Sequence, residues 1–163
     1  MRTKLIISQM SILGKVFIRF RRKTMLTKLK EFFKKDYFAM DLLGIEIEKA
    51  ENGVCECTLK KRKELLNANA VMQGGALYTL GDFAFAVGAA SSGNMAVTSS
   101  LTINYIKPGK GDVFRAVATP VNIGRKICYY DVTVYDGDIT VAKMSVVGCV
   151  IGQTKDFVEG FEI

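Results

Sequence analysis

From Leu65 to Ile106 the chain runs for 42 residues with a single charged side chain, Asp82. Within that run, Gly75 to Ala90 is apolar on nearly every side and rich in alanine and leucine. A helix without a polar face has to be covered. At 16 residues it is about 24 Å long, short of a bilayer span, and a carboxylate interrupts it. The segment predicts a helix buried inside a fold.

The flanking sequence supplies the cover. IEIEK alternates strictly, ENG marks a turn, and VCECTLK alternates again, which predicts a hairpin with Cys55, Cys57 and Leu59 facing inward. Beyond the helix, TSSLTINYI, VFRAVATPVNI, ICYYDVTVY and ITVAKMSVVGCVI read as four further antiparallel strands, the last two joined by an Asp136-Gly137 turn. Ahead of the hairpin, Leu26, Leu29, Phe33, Tyr37 and Met40 fall at spacings of three and four, predicting one amphipathic helix from Met25 to about Leu43. The class is α+β: a curved antiparallel sheet of about six strands wrapped around a central helix.

Charge and composition remove several functions. There is no histidine, so Ser-His-Asp triads, Cys-His pairs and imidazole metal sites are excluded. The net charge of +7 resides in residues 1–24, which carry seven bases and no acid, while the remaining 16 bases match the 16 acids. A basic groove for nucleic acid is therefore not expected in residues 25–163, which read as a single domain. The basic extension has three readings: sequence upstream of a biological start at Met25, an anchor on an anionic membrane surface, or a targeting segment. The four cysteines form no disulfide framework. Cys55 and Cys57 lie on one strand face with Cα atoms about 6.7 Å apart. Buried free thiols and a cytoplasmic location are the expectation, with a reactive cysteine as the alternative.

A lone carboxylate in an apolar helix costs several kcal/mol unless paired or hydrogen-bonded. Asp82 is accordingly a catalytic candidate, the alternative being a structural bond to a helix end or a strand threonine. Just upstream, Gln73-Gly74-Gly75 opens the helix. Bare backbone N–H groups at a helix N-terminus can hold a developing oxyanion, whereas a plain glycine turn would do nothing.

The stretch LLNANAVMQGGALYTLGDFAFAVGAA resembles hotdog-fold acyl-CoA thioesterases of the phenylacetic-acid-degradation type, within the 4-hydroxybenzoyl-CoA thioesterase-like superfamily. The similarity runs from LLGIEI near Leu42 to Val150 and includes the NYIKPGKGD and IGRK turns. The resemblance implies that Asn67 and the Gly74 amide polarise a thioester carbonyl, with Asp82 as general base or nucleophile. It places a water-orienting hydroxyl near Thr98, with Ser99 and Ser100 as alternatives. Gln73 stands where the family usually has histidine, and an amide hydrogen-bonds without titrating.

The substrate implied is an acyl- or aryl-CoA thioester, with no metal and no cofactor beyond the coenzyme A that the substrate itself carries. Gly75 and Tyr78 are expected beside the substrate, with Phe83 and Phe85 lining an acyl pocket or else forming plain core. Lys107, Lys110, Arg125 and Lys126 occupy two turns and are candidates for the coenzyme phosphates, or solvated turn charges. Gly74 and Asp82 are about 12 Å apart along one helix, too far to act on one carbonyl. A working site therefore needs two subunits, and the resemblance implies a homodimer, often within a tetramer. The competing function is a non-catalytic acyl-CoA-binding protein of the same fold. A dehydratase is disfavoured because those enzymes pair histidine with a carboxylate.

Overall fold

The computed structural model describes residues 24–161. The readings of the basic extension fall outside the described residues, apart from Thr24. Helix α1 covers residues 24–33 and buries Leu29 and Phe33. The single helix expected from Met25 to Leu43 is broken. Residues 34–36 form a turn, and a separate π-helical turn follows at Tyr37–Leu42. The physical reason is Asp36, whose carboxylate accepts the Ala39 N–H at 3.0 Å. That cap starts a new turn and takes the chain out of helical geometry at its own position.

Six strands follow: β1 (Glu46–Glu51), β2 (Val54–Lys60), β3 (Asn94–Tyr105), β4 (Val113–Ile123), β5 (Ile127–Asp136) and β6 (Ile139–Gln153). Their order in the sheet is β1-β2-β4-β5-β6-β3, and every neighbouring pair is antiparallel. The sheet is open, with β1 and β3 as its edges. Alternation decides the faces: Phe114, Ala116 and Ala118 on β4, and Cys128, Tyr130, Val132 and Val134 on β5, all point into the core. Cys55, Cys57 and Leu59 face inward as the hairpin pattern predicts, and the two thiols lie 3.5 Å apart. Cys149 departs from the expectation of buried thiols, because its strand parity turns it to the exposed outer face.

Helix α2 (Gly74–Ser91) lies across the inner face of this sheet, as the hotdog arrangement requires. Its C-terminal half approaches the β1–β2 turn backbone to backbone. A Cβ on Gly88 would come within 2.8 Å of the Gly53 carbonyl oxygen, and Gly53 N–H donates to Ser91 Oγ at 3.0 Å. On its other side, Phe83 meets Phe33 of α1 edge-on at 5.5 Å. The helix is nonetheless not covered all round. Gly75, Thr79, Asp82 and Ala86 remain at least partly open along one stripe, at spacings of four, three and four. Among the described residues, no helix is long and apolar enough to cross a membrane.

Candidate active site

Asp82 sits on that open stripe, half-buried, and Thr98 Oγ1 donates to its Oδ1 at 2.5 Å. The local structure of β3 selects Thr98. Its pairing with β6 runs Thr98↔Gly148 and then Ser100↔Val147, so Ser99 is an extra, bulged residue. A bulge re-aims the side chains beside it. Thr98 points in towards the helix, whereas Ser99 and Ser100 are exposed. Among the described residues no ion pair involves Asp82. Burial raises its pKa above the ordinary 3.8, the Thr98 hydrogen bond opposes that shift, and the Asp36 carboxylate adds to it. The result is a stronger base than a solvated aspartate, with one oxygen held and the other free.

At the head of α2, Gln73 is the N-cap, and its side-chain oxygen accepts the Gly75 N–H. The Gln73 N–H donates to Leu65 O at 2.8 Å, while the Ala76 and Leu77 N–H groups donate to Gln73 O at 3.0 and 3.3 Å. Every N–H of the first turn is thus engaged except that of Gly74, which has no acceptor among the described residues. Asn67 stands close by. Its Oδ1 accepts from the Asn69 and Val71 N–H groups at 2.9 and 3.3 Å. Two N–H donors fix the oxygen on that side, so the amide NH₂ is the free end. Asn67 and Gly74 line one cavity of about 340 Å³, together with Leu77, Tyr105, Ile106 and Lys107.

A second cavity of about 600 Å³ lies on the other side of the helix head. Phe38, Leu42, Leu43, Leu65, Ala76 and Tyr78 give it an apolar lining, and Gln73 and Gly75 border it. Tyr78 lines this second cavity. Phe83 and Phe85 line neither cavity: both are buried in the core, and Phe85 stacks edge-on against Tyr130 of the sheet at 5.2 Å. The side of α2 that carries them faces inward.

The four candidate phosphate ligands do not converge within one chain. Lys107 borders the first cavity, and Lys110, in the same β3–β4 loop, donates its backbone N–H to Asp136 Oδ2 at the end of β5 at 2.9 Å. Arg125 and Lys126 lie in the β4–β5 turn, at the opposite end of β4. That strand is about 33 Å long. Among the described residues, no group of three or more cysteine and carboxylate side chains is arranged to hold a metal ion. Sequence reasoning missed Tyr105, whose hydroxyl donates to Gly74 O at 2.7 Å across 31 positions of chain.

The thioesterase superfamily profile matches residues 69–143, which include Gly74, Asp82 and Thr98. The acyl-coenzyme A thioesterase PaaI of Escherichia coli is 34% identical over 93 residues, covering 56% of this chain and 66% of that protein. The E. coli PaaI structure superposes with a TM-score of 0.70 at 28% identity, covering 79% of this chain and 97% of that one. A hypothetical thioesterase of Streptococcus pneumoniae, crystallised with coenzyme A, gives a TM-score of 0.69 at 32% identity over 74% of this chain and 98% of its own. Alanine variants of a hypothetical thioesterase from the same organism are known at an aspartate and at a threonine. Those two positions are 16 apart, the separation of Asp82 and Thr98 here. Fold and sequence agree, and the chain belongs to the thioesterase superfamily as a hotdog-fold thioester hydrolase.

Proposed function

We propose that this chain hydrolyses an acyl- or aryl-CoA thioester to the free acid and coenzyme A, in a site completed by a second copy of itself. The observation that carries the reading is that Asn67 and Gly74 line one cavity, each with an N–H donor left unbonded. Two fixed donors at a helix N-terminus are what a thioester oxygen needs as its negative charge grows. Asp82 lies about 12 Å further along the same helix, so the carboxylate serving that carbonyl comes from the partner.

The edge strand supplies a route. Thr98 is bonded to Asp82 and Tyr105 to Gly74, and both sit on β3. Pairing two β3 edges antiparallel about a twofold axis near Leu101 and Thr102 would lay Thr98 of one chain near Tyr105 of the partner subunit. Asp82 then approaches Gly74 of the partner subunit, and the open stripe of α2 is covered. The same pairing addresses the phosphate ligands. Lys126 O accepts from Val150 N–H at 2.9 Å, and Asn94 Nδ2 donates to Gly124 O at 3.1 Å, so the basic β4–β5 turn adjoins the Asn94 end of β3. In the dimer that end lies beside Lys107 of the partner subunit.

In the reaction, Asp82 Oδ2 takes a proton from water while Thr98 holds Oδ1. The hydroxyl oxygen bonds to the carbonyl carbon, charge moves onto the oxygen facing Gly74 and Asn67, and its return breaks the C–S bond. In the alternative step Asp82 Oδ2 bonds to the carbonyl carbon itself, the C–S bond breaks to release the thiolate, and water then hydrolyses the mixed anhydride to the free acid and the carboxylate. A thiolate leaves without full protonation, so no histidine is required. Gln73 fits this scheme, since capping the helix needs a hydrogen-bond acceptor and not a titrating group.

The test is a panel of acyl- and aryl-CoA esters incubated with the purified protein and a thiol reagent. Release of free coenzyme A supports hydrolysis. Saturable binding without release makes the protein an acyl-CoA binder instead.

A further inference from the structure

The peptide unit joining Gly74 to Gly75 is held at both ends. Its carbonyl oxygen accepts from Tyr105 Oη at 2.7 Å, and its N–H donates to the side-chain oxygen of Gln73. The hydroxyl end of the Tyr105 ring also lies close to the glycine. A Cβ built on Gly74 would meet Tyr105 Cζ and Oη at 3.0 Å each. Nothing larger than glycine fits under that ring without moving it.

Such a clamp has work to do at this position. Two consecutive glycines leave the first turn of the helix with the most backbone freedom to lose. Their backbone freedom would let the first turn fray, and the only unbonded N–H of that turn would wander with it. Tyr105 ends β3, an edge strand tied along its length to β6, so the restraint comes from the sheet and not from the helix itself. Burial, and then Tyr78, push the Tyr105 phenol upward.

We infer that Tyr105 is a positioning residue: its hydroxyl holds the Gly74 carbonyl, and so steadies the glycine whose own N–H, in the preceding peptide, is left open at the cavity shared with Asn67. The inference rests on the thioesterase reading above and adds to it a residue that touches no reacting atom.

The test is Tyr105→Phe, which keeps the ring and removes the hydroxyl. Two readouts are taken: steady-state hydrolysis of an acyl-CoA cleaved by the parent, and NMR amide exchange at Gly75 and Ala76. The expected result is exchange about fivefold faster at those amides, and kcat lowered about fivefold with KM nearly unchanged. Unchanged exchange overturns the inference whatever happens to kcat, and so does faster exchange with parental kcat. A raised KM at parental kcat would make Tyr105 a substrate contact instead. If the parent releases coenzyme A from no acyl-CoA, the thioesterase reading fails, while the exchange comparison still decides whether the clamp exists.

Discussion

Thr98 Oγ1 donates to Asp82 Oδ1 at 2.5 Å, joining the middle of the central helix to an edge strand 16 positions later. Two opposed influences meet in that contact. The bond favours the ionised carboxylate, and burial favours the neutral acid; burial dominates, and the pKa is raised. The bond also leaves Oδ2 as the oxygen available to water.

Replacing Asp82 by Asn should remove the base while keeping an acceptor for Thr98. We expect kcat to fall by at least about a hundredfold. Acyl-CoA affinity, measured by calorimetry, should stay near that of the parent. Parental turnover in Asp82→Asn would make the carboxylate structural.

The acid limb of the pH profile should report Asp82. Activity needs the ionised form, so kcat/KM falls as pH drops through a pKa above 3.8. Thr98→Ala removes a contact that favours the charge and should move the limb to higher pH. Asp36→Asn removes a repelling carboxylate and should move it to lower pH. Shifts in the same direction for both variants would contradict this electrostatic account. The linkage has a definite sign: the folded chain binds this proton more tightly than the unfolded chain, so stability declines as pH rises through the Asp82 pKa. Asp82→Asn should therefore melt no lower than the parent at neutral pH.

A shared site predicts complementation. Subunits carrying Asp82→Asn and subunits carrying Asn67→Ala are each expected to be inactive. In a mixed dimer, one site holds both defects and the other holds neither. With random exchange at equal amounts, about a quarter of parental activity should return, since half the dimers are mixed and each has one intact site. No recovery, with mixed dimers demonstrated by mass spectrometry, would place both residues in one chain's site.

Thiol reactivity should separate one cysteine from three. Cys149 is exposed, while Cys55, Cys57 and Cys128 are buried. Burial also pushes the Cys57 and Cys128 thiols up, further suppressing thiolate. An aromatic disulfide reagent should titrate one thiol rapidly in the native protein and all four after denaturation. Rapid reaction of two or more native thiols would show that the inner face of the sheet opens.

The sequence by itself determined what short-range patterning can determine. Alternation placed Cys55, Cys57 and Leu59 on the inner face, and ENG marked the turn where Asn52 and Gly53 adopt positive φ. The isolation of Asp82 among apolar neighbours singled it out, because an unexplained charge in such a segment is costly wherever the segment folds. The glycines at the helix head pointed to open N–H groups, because every helix leaves its first N–H groups without partners inside it.

Tertiary structure decided the rest. The central helix is apolar on nearly every side, so no periodicity marks which face meets the sheet, and only packing put Phe85 against Tyr130 while leaving Asp82 on the open stripe. Thr98, Ser99 and Ser100 are equivalent hydroxyls in sequence, and the bulge at Ser99, a matter of register with β6, chose among them. The Asp36 carboxylate broke a regular helical repeat through a cap whose strength depends on its local backbone. The two basic turns look alike along the chain but lie at opposite ends of β4. Tyr105 reaches Gly74 across 31 positions, because antiparallel pairing with β6 sets the end of β3 beside the head of the helix. Contacts of that range follow from topology, which local sequence does not encode.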